Sequence, residues 1–559
     1  MDIKLGTELN VAIETPDDLR DRSFDLNTGF NEAENSWILI IRYLGDLKQL
    51  ADDYNGTATQ LLGGFAIIII ESTRLLDLAG DSRVIFIEKP KTFVQERASI
   101  NGFVSSCMSV PYFELDLRAE GITVAIIDSG IDIMHPDFID EDGDTKLVGI
   151  WDQTISGNPP SNYNIGTFFS REDINAYVAG NENFFSQDIS GHGTAVAGII
   201  AACTPLADLL IIKLDTKDVD QVDTINLMQG IDFAVRYSIE YNLPMVINLS
   251  FGNNSGDHSG NSVLERYIDT VTGLSRITFS VGSGNDAASG RHVQINMGNE
   301  SWYRREFLIN EGEKGISIEI WRNTGDIVDI FLTTPSGDMV GPFNDYSQLM
   351  VYNVNDMDIR VLNNGPTPIN VNLETYISII PLNDYIDSGT WVLSFNPKKI
   401  INGRVDVWLP VEGSTNTDLF FLSPTETTTL TIPSTARNVI TVGAYDSNTM
   451  SYAAFSGRGF NENGLVKPDL VAPGVNIDTA RVGGGYEIVS GTSFATPFVS
   501  SGAAMLMEYG IVRENDLFLY GEKVKAYLIG GAEMLSNKGD KTPNELTGWG
   551  RLCVENSLP

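Results

Sequence analysis

Residues Ile122-Thr123-Val124-Ala125-Ile126-Ile127 form an apolar run that closes on Asp128 and leads into Ser129-Gly130. A strand that is apolar on both faces is buried on both faces, the situation of a parallel sheet covered by helices, so this run points to an α/β core with a carboxylate at a strand's C-terminal end. Similar runs end at Lys213, Ser250 and Val281, and they alternate with helical patterns over 225–241 and 262–274. That alternation predicts a doubly wound parallel sheet.

Two further short motifs carry groups that complement Asp128. His192 lies in Gly191-His192-Gly193-Thr194, where a glycine-rich turn opens an apolar helix over 195–202. Ser493 lies in Gly491-Thr492-Ser493-Phe494-Ala495-Thr496-Pro497, ahead of a small-residue helix over 497–507 that would place it at a helix N-terminus. A serine hydroxyl is a poor nucleophile until a base takes its proton, and an imidazole serves best when a buried carboxylate fixes its tautomer. Taken singly, an Asp after a strand is a turn or cap residue and a Gly-Thr-Ser is a loop. The chain has four histidines. His135 fits a structural turn before Pro136, and His258 and His292, in polar stretches, read as surface residues.

The order Asp, His, Ser resembles the subtilisin-like proteases. Asp128-Ser129-Gly130-Ile131 with His135-Pro136-Asp137 is similar to that family's aspartate box, Gly191-His192-Gly193-Thr194 to its histidine box, and Gly491-Thr492-Ser493 to its serine box. Val246-Ile247-Asn248-Leu249-Ser250-Phe251-Gly252 resembles the strand lining the first specificity pocket, which makes Ser250, Phe251 and Gly252 substrate-binding candidates. Ser283-Gly284-Asn285 resembles the stretch carrying the oxyanion-hole amide. The resemblance implies peptide-bond hydrolysis with Ser493 as nucleophile, His192 as base and Asp128 as its orienting carboxylate. Asn285 and the Ser493 NH would hold the oxyanion.

Around these boxes the chain reads as four segments. Residues 1–96 form a propeptide-like α+β domain: a polar, acidic extension of thirty-odd residues precedes a strand from Ser36, a helix over 47–54, a strand over 64–70, a helix over 72–79 and a strand over 84–88. Residues 97–290 and 432–559 are the two parts of the catalytic domain. Between them, 291–431 shows short alternating runs over 315–321, 327–333, 371–380 and 390–395, separated by turn signals such as Pro335-Ser336-Gly337-Asp338. That spacing predicts an inserted antiparallel sandwich, a jelly roll. In the family a unit before the catalytic domain assists folding and inhibits the site. Residues 90–97 would then be its extended tail in the cleft, with autocleavage between about 93 and 98.

Insert, propeptide-like unit and the absence of a basic, apolar N-terminal leader together resemble the Csp germination proteases of anaerobic spore formers. This implies a stored enzyme, intracellular and spore-associated, that activates a cortex-lytic pro-enzyme by limited proteolysis and keeps its own propeptide bound. A housekeeping intracellular protease and a non-catalytic pseudoprotease scaffold are the alternatives. Composition agrees with a large soluble enzyme: 37 Lys plus Arg against 74 Asp plus Glu, a formal charge of -37, disfavours nucleic acid and anionic membranes as partners. Three separated cysteines, Cys107, Cys203 and Cys553, predict reduced thiols. The most apolar stretch, 65–70, is too short to span a bilayer. No cofactor or metal is expected. The connection 201–208 lacks the longer loop that supplies calcium ligands in extracellular subtilisins, and Asp137 alone cannot build a site; Asp140-Glu141-Asp142-Gly143-Asp144 reads as a solvated turn.

Overall fold

The structure, a computed structural model, describes residues 2–95, 116–180, 186–218, 221–299, 301–346, 348–461, 463–535 and 541–558. They divide into two compact units.

The unit carrying Asp128, His192 and Ser493 comprises Phe93–Gly252, Leu264–Ala288 and Thr427–Pro559. Its centre is a nine-stranded sheet in which Thr123–Asp128 lies between Asp208–Lys213 and Met245–Leu249, parallel to both. Ile277–Gly282, Ile440–Asp446 and Leu470–Pro473 extend the parallel order on one side and Leu147–Asp152 on the other; antiparallel Ser451–Tyr452 and Thr167–Ser170 close the edges. Every residue of Thr123–Asp128 is buried, as a strand without a polar face requires. Helices His192–Cys203 and Thr492–Met507 share one apolar core with it, among them Val196, Ile199, Phe498 and Val499. The helical patterns over 225–241 and 262–274 correspond to Thr224–Glu240 and Val263–Thr272.

The other unit comprises Met1–Thr92, Asn253–Val263 and Ser289–Glu426. Its N-terminal part is a five-stranded antiparallel sheet centred on Ser36–Tyr43 and Phe65–Glu71, with helices Leu47–Asp53 and Leu75–Gly80. Residues 292–421 form two antiparallel sheets, of six and five strands, that share a core including Phe307, Ile318, Ile330, Ile377, Trp391 and Leu393. Met357–Asn364 and Leu373–Pro381 are buried along their whole length. The reason is a second core, in which Leu362, Tyr376 and Ile380 pack with Leu5, Leu9, Val11, Leu39 and Ile68.

That second core corrects the expectation of a polar N-terminal extension. Thr7–Ile13 is a helix whose Leu9, Val11 and Ala12 are buried, and Leu5 and Leu26 join them. Too few apolar residues stand among the acidic ones to announce it, because the face they fill lies on strands more than three hundred residues away. Leu9→Ala should cost about 2–5 kcal/mol; denaturant unfolding of the full chain checks this, and a change near zero would remove the helix from the core.

Charge is buried in this unit as well. Glu8 pairs with Lys89 Nζ at 3.0 Å and Lys91 Nζ at 3.3 Å, Thr7 Oγ1 donates to Glu374, and Trp321 Nε1 donates to Glu319 Oε2 at 3.0 Å. Burial pushes the Glu319 carboxyl up from its ordinary 4.5 to about 7, against the opposing pull of Lys91. Burial, and then Glu319, raises Glu374 well above its ordinary range. Burial opposes ionisation of Glu8 too, but Lys89 and Lys91 outweigh it and hold that group low.

The signs follow. A carboxyl raised on folding stabilises fully below its unfolded value and loses that contribution as pH rises through its folded one, so Glu319 and Glu374 weaken the unit above pH 5. The Glu8 contribution disappears only at pH values below the ordinary carboxylate range. The melting temperature of the protein should therefore fall by several degrees from pH 5.5 to pH 8, since a carboxyl raised from 4.5 to about 7, as Glu319 is, contributes on the order of a few kcal/mol. Glu319→Gln should flatten the dependence; an unchanged slope in that variant would contradict the assignment.

His258 and His292 also depart from expectation. Both are buried and stacked on a shared partner, Trp408, with centroids at 4.2 and 4.8 Å. His292 Nε2 meets Asp406 Oδ1 at 2.9 Å. Polar neighbours in sequence conceal a ring stack whose shared residue comes from a distant strand.

Candidate active site

Asp128 ends the central strand, and the backbone NH of Ser129 donates to its Oδ1 at 2.7 Å. His192, first residue of its helix, places Nδ1 2.8 Å from Asp128 Oδ1 and 3.0 Å from Oδ2, with both side chains fully buried. A carboxylate only accepts, so Nδ1 carries the proton and Nε2 is left as the basic nitrogen. Nε2 is buried without a hydrogen-bond partner. The approach of helix to strand depends on Gly193: a Cβ there would lie 2.2 Å from Gly130 O and 3.2 Å from Asp128 Cβ.

Ser493 is the second residue of helix Thr492–Met507, where first-turn NH groups lack intrahelical acceptors and the helix dipole favours negative charge. Its Oγ donates to Ser250 O at 3.4 Å. Pro497, inside the helix, has no NH for the Ser493 carbonyl, and Ser250 Oγ donates to that carbonyl at 3.5 Å instead. The Phe494 ring packs against His192 at 5.2 Å between centroids.

Asn285 is held by its acceptor end: Oδ1 takes Thr492 N at 3.0 Å and Thr492 Oγ1 at 3.1 Å. Its Nδ2 is buried without a partner. Gly284 before it has φ +94°, and a Cβ there would meet Thr431 Cγ2 at 2.5 Å, so glycine is required for this turn.

Beside these groups the chain's own tail forms a strand, Thr92–Gln95, antiparallel to Phe251–Gly252, with Val94 opposite Gly252 and Gln95 opposite Phe251. Gln221–Asp223 flanks its other edge. Gln95 Nε2 donates to Ser190 Oγ at 3.4 Å, two residues before His192. The remainder of the expected cleavage window, 96–98, lies outside the described residues.

Thus Asp128 and His192 are joined by hydrogen bonds, Ser250 is joined to Ser493, Asn285 is tied to Thr492 beside it, and Phe251 and Gly252 carry the tail strand. Two parts were not found from the sequence. One is the strand Gln221–Asp223, whose three residues are too short to read. The other is Asp188, buried and bonded to Ser129 and to the start of the His192 helix. Its place four residues before His192, in Asp188-Ile189-Ser190-Gly191, is the turn signal that could have marked it.

Asp137 and the Asp140 turn are satisfied within the protein: Tyr486 OH donates to Asp137 Oδ1 at 2.9 Å, and Asp142 N and Asp144 N donate to Asp140 Oδ1 at 3.0 and 2.9 Å. Among the described residues no group of three or more His, Cys, Asp or Glu side chains is placed to hold a metal ion. His135 Nε2 lies 2.8 Å from Gly485 O, a structural contact. Cys203 is buried, which pushes its thiol up to about 12 and makes it unreactive. Among the described residues no helix is long and apolar enough to cross a membrane.

An alcohol at a helix N-terminus, an imidazole oriented by a buried carboxylate and packed against the ring of the residue after that alcohol, and an unpartnered amide donor are the groups a serine hydrolase uses, here on an α/β scaffold. Comparison with known proteins narrows the class. The chain belongs to the subtilase family of serine peptidases, whose model matches residues 119–359 and 329–550. The model of the Csp protease B prodomain matches residues 3–91. The solved structure of the Clostridium perfringens CspB protease is 34% identical, covers 81% of this chain and 95% of that one, and superposes with a TM-score of 0.73. Serine protease AprX of Bacillus subtilis is 34% identical over 151 residues, 23% of this chain and 32% of that protein. The PIII-type proteinase of Lactococcus lactis subsp. cremoris is 22% identical over 517 residues, 83% of this chain and 26% of that protein. This chain thus spans about a third or less of the length of these two curated relatives.

Proposed function

We propose that the protein is a subtilisin-type serine endopeptidase that cuts its own chain between about 93 and 98 and then activates a spore cortex-lytic pro-enzyme by limited proteolysis during germination. The observation that carries the first part is the tail strand: Val94 and Gln95 pair with Gly252 and Phe251 as an extended substrate pairs in a protease groove. Gln95 is also next to Ser190, close in sequence to His192.

The chemistry follows from the side chains. The Ser493 hydroxyl turns from Ser250 O towards His192 Nε2, gives up its proton and attacks the peptide carbonyl. The Asn285 Nδ2 and Ser493 NH groups hold the oxyanion, His192 protonates the leaving amine, and water hydrolyses the acyl-enzyme. Asp128 stays ionised throughout and steadies the imidazolium. The domain reading consistent with this is a prodomain over 1–96, catalytic segments 97–290 and 432–559, and a β-sandwich insert over 291–431.

Support for the physiological role is the match of residues 3–91 to a Csp protease B prodomain and the likeness to a Csp protease. Incubating the purified protein with a cortex-lytic pro-enzyme and sequencing the product N-terminus tests it. One defined cut is expected. Degradation to many peptides would favour the housekeeping reading, and an intact pro-enzyme beside active wild-type protease would remove the germination role.

A further inference from the structure

We propose that Asp188 is a positioning residue for the Asp128–His192 pair, acting through Ser129; this rests on the endopeptidase reading. The Asp188 carboxylate is buried and fully engaged. Its Oδ1 accepts Ser129 Oγ at 2.8 Å and Gly191 N at 2.9 Å, and its Oδ2 accepts Thr194 N at 2.8 Å and Thr194 Oγ1 at 2.6 Å. Gly191 caps the helix that begins at His192 but offers no side chain to do so. Asp188 supplies that cap from outside the helix, binding orphan NH groups and placing a negative charge at the positive end of the dipole.

Ser129 connects this cap to the reacting groups. Its Oγ accepts Gly193 N at 3.0 Å and has one proton to give, to Asp188 Oδ1 at 2.8 Å or to Asp128 Oδ1 at 3.2 Å. The shorter bond wins, so the Asp128 carboxylate keeps its electron density for His192 Nδ1. Asp188 thereby fixes where the His192 helix begins and prevents Ser129 from competing for Asp128. Other charges near the helix start are the Lys213–Asp152 pair, at 3.1 Å, with Lys213 beside Gly130, Glu487 beside Gly191, and Asp132, whose NH donates to Thr194 Oγ1. None of these carboxylates accepts a bond from Ser129 in the structure.

Asp188→Asn tests the proposal. An asparagine can donate to Ser129 Oγ, which turns the Ser129 proton onto Asp128 and removes a buried negative charge. Both effects make the protonated imidazole less favourable. The expected result is a kcat about tenfold lower with KM nearly unchanged, the loss typical of an outer partner of a site. The acid limb of kcat/KM against pH should move down by roughly half a pH unit. In a Ser129→Ala background Asp188→Asn should move the limb by less than in the wild-type background, because only the loss of charge remains. A merely structural residue would lower the yield of folded protein and leave the limb where it is, and that result overturns the proposal.

Titration of the His192 ring by NMR in Ser493→Ala protein gives the same reading without turnover. If wild-type protein neither turns over substrate nor reacts with a fluorophosphonate, the endopeptidase reading fails, and an unmoved His192 titration in Asp188→Asn would separately remove the role of Asp188. Should Asp188→Asn not accumulate as folded protein, Ser129→Ala serves alone: kcat should fall at least about threefold at constant KM, and an unchanged kcat overturns the inference.

Discussion

Replacing Ser493 by alanine should remove peptide cleavage, with kcat falling on the order of 10⁶-fold, the loss seen when a serine triad loses its nucleophile. KM should change little, because Phe251 and Gly252, which pair with the tail strand, do not depend on the Ser493 side chain. Stability should move by no more than about 0.5 kcal/mol, since the hydroxyl makes one long bond, 3.4 Å to Ser250 O, and the helix that bears it is held by its apolar residues. Steady-state assays at matched concentrations of folded protein check both. Cleavage by the alanine variant at the wild-type rate would move the nucleophile elsewhere.

Asn285→Ala carries the second largest expectation. Its Nδ2 is a buried donor that satisfies nothing in the structure, a costly condition unless a negatively charged oxygen arrives there. Removing it should lower kcat about 10²–10³-fold, some 3–4 kcal/mol of transition-state stabilisation. KM should hold, because a ground-state carbonyl does not occupy the oxyanion position. The lost acceptor for Thr492 N lies at a helix N-terminus, where water can replace it, so the fold should survive. A variant with weakened KM and intact kcat would make Asn285 a binding residue instead.

The parts of this architecture that could be read from sequence are those where one stretch of chain contains its own reason. The run 122–128 had to be a buried strand because it has no polar face, and the Gly-His-Gly-Thr and Gly-Thr-Ser turns announce helix starts through their glycines. Asn285 was legible because glycine and strand stand directly before it. What was hidden has its cause far along the chain. The helix Thr7–Ile13 buries its apolar side in a core shared with Leu362, Tyr376 and Ile380, and His258 and His292 both stack on Trp408. Glu319, on a strand buried on both sides, looks in sequence like a solvent-facing residue of an alternating pattern. Asp188 is a four-bond hub, but its partners Ser129 and Thr194 are ordinary turn residues until the strand and helix meet.

Joint action of Asp128, His192 and Ser493 on an extended chain paired with Phe251–Gly252 is what the proposed self-cleavage requires. The most direct measurement is intact mass and N-terminal sequencing of wild-type, Ser493→Ala and His192→Ala proteins purified side by side. Wild type should arrive as two fragments with a new N-terminus at about residues 94 to 98, and both variants as one uncut chain. An uncut wild type, or the same two fragments from Ser493→Ala, would contradict it.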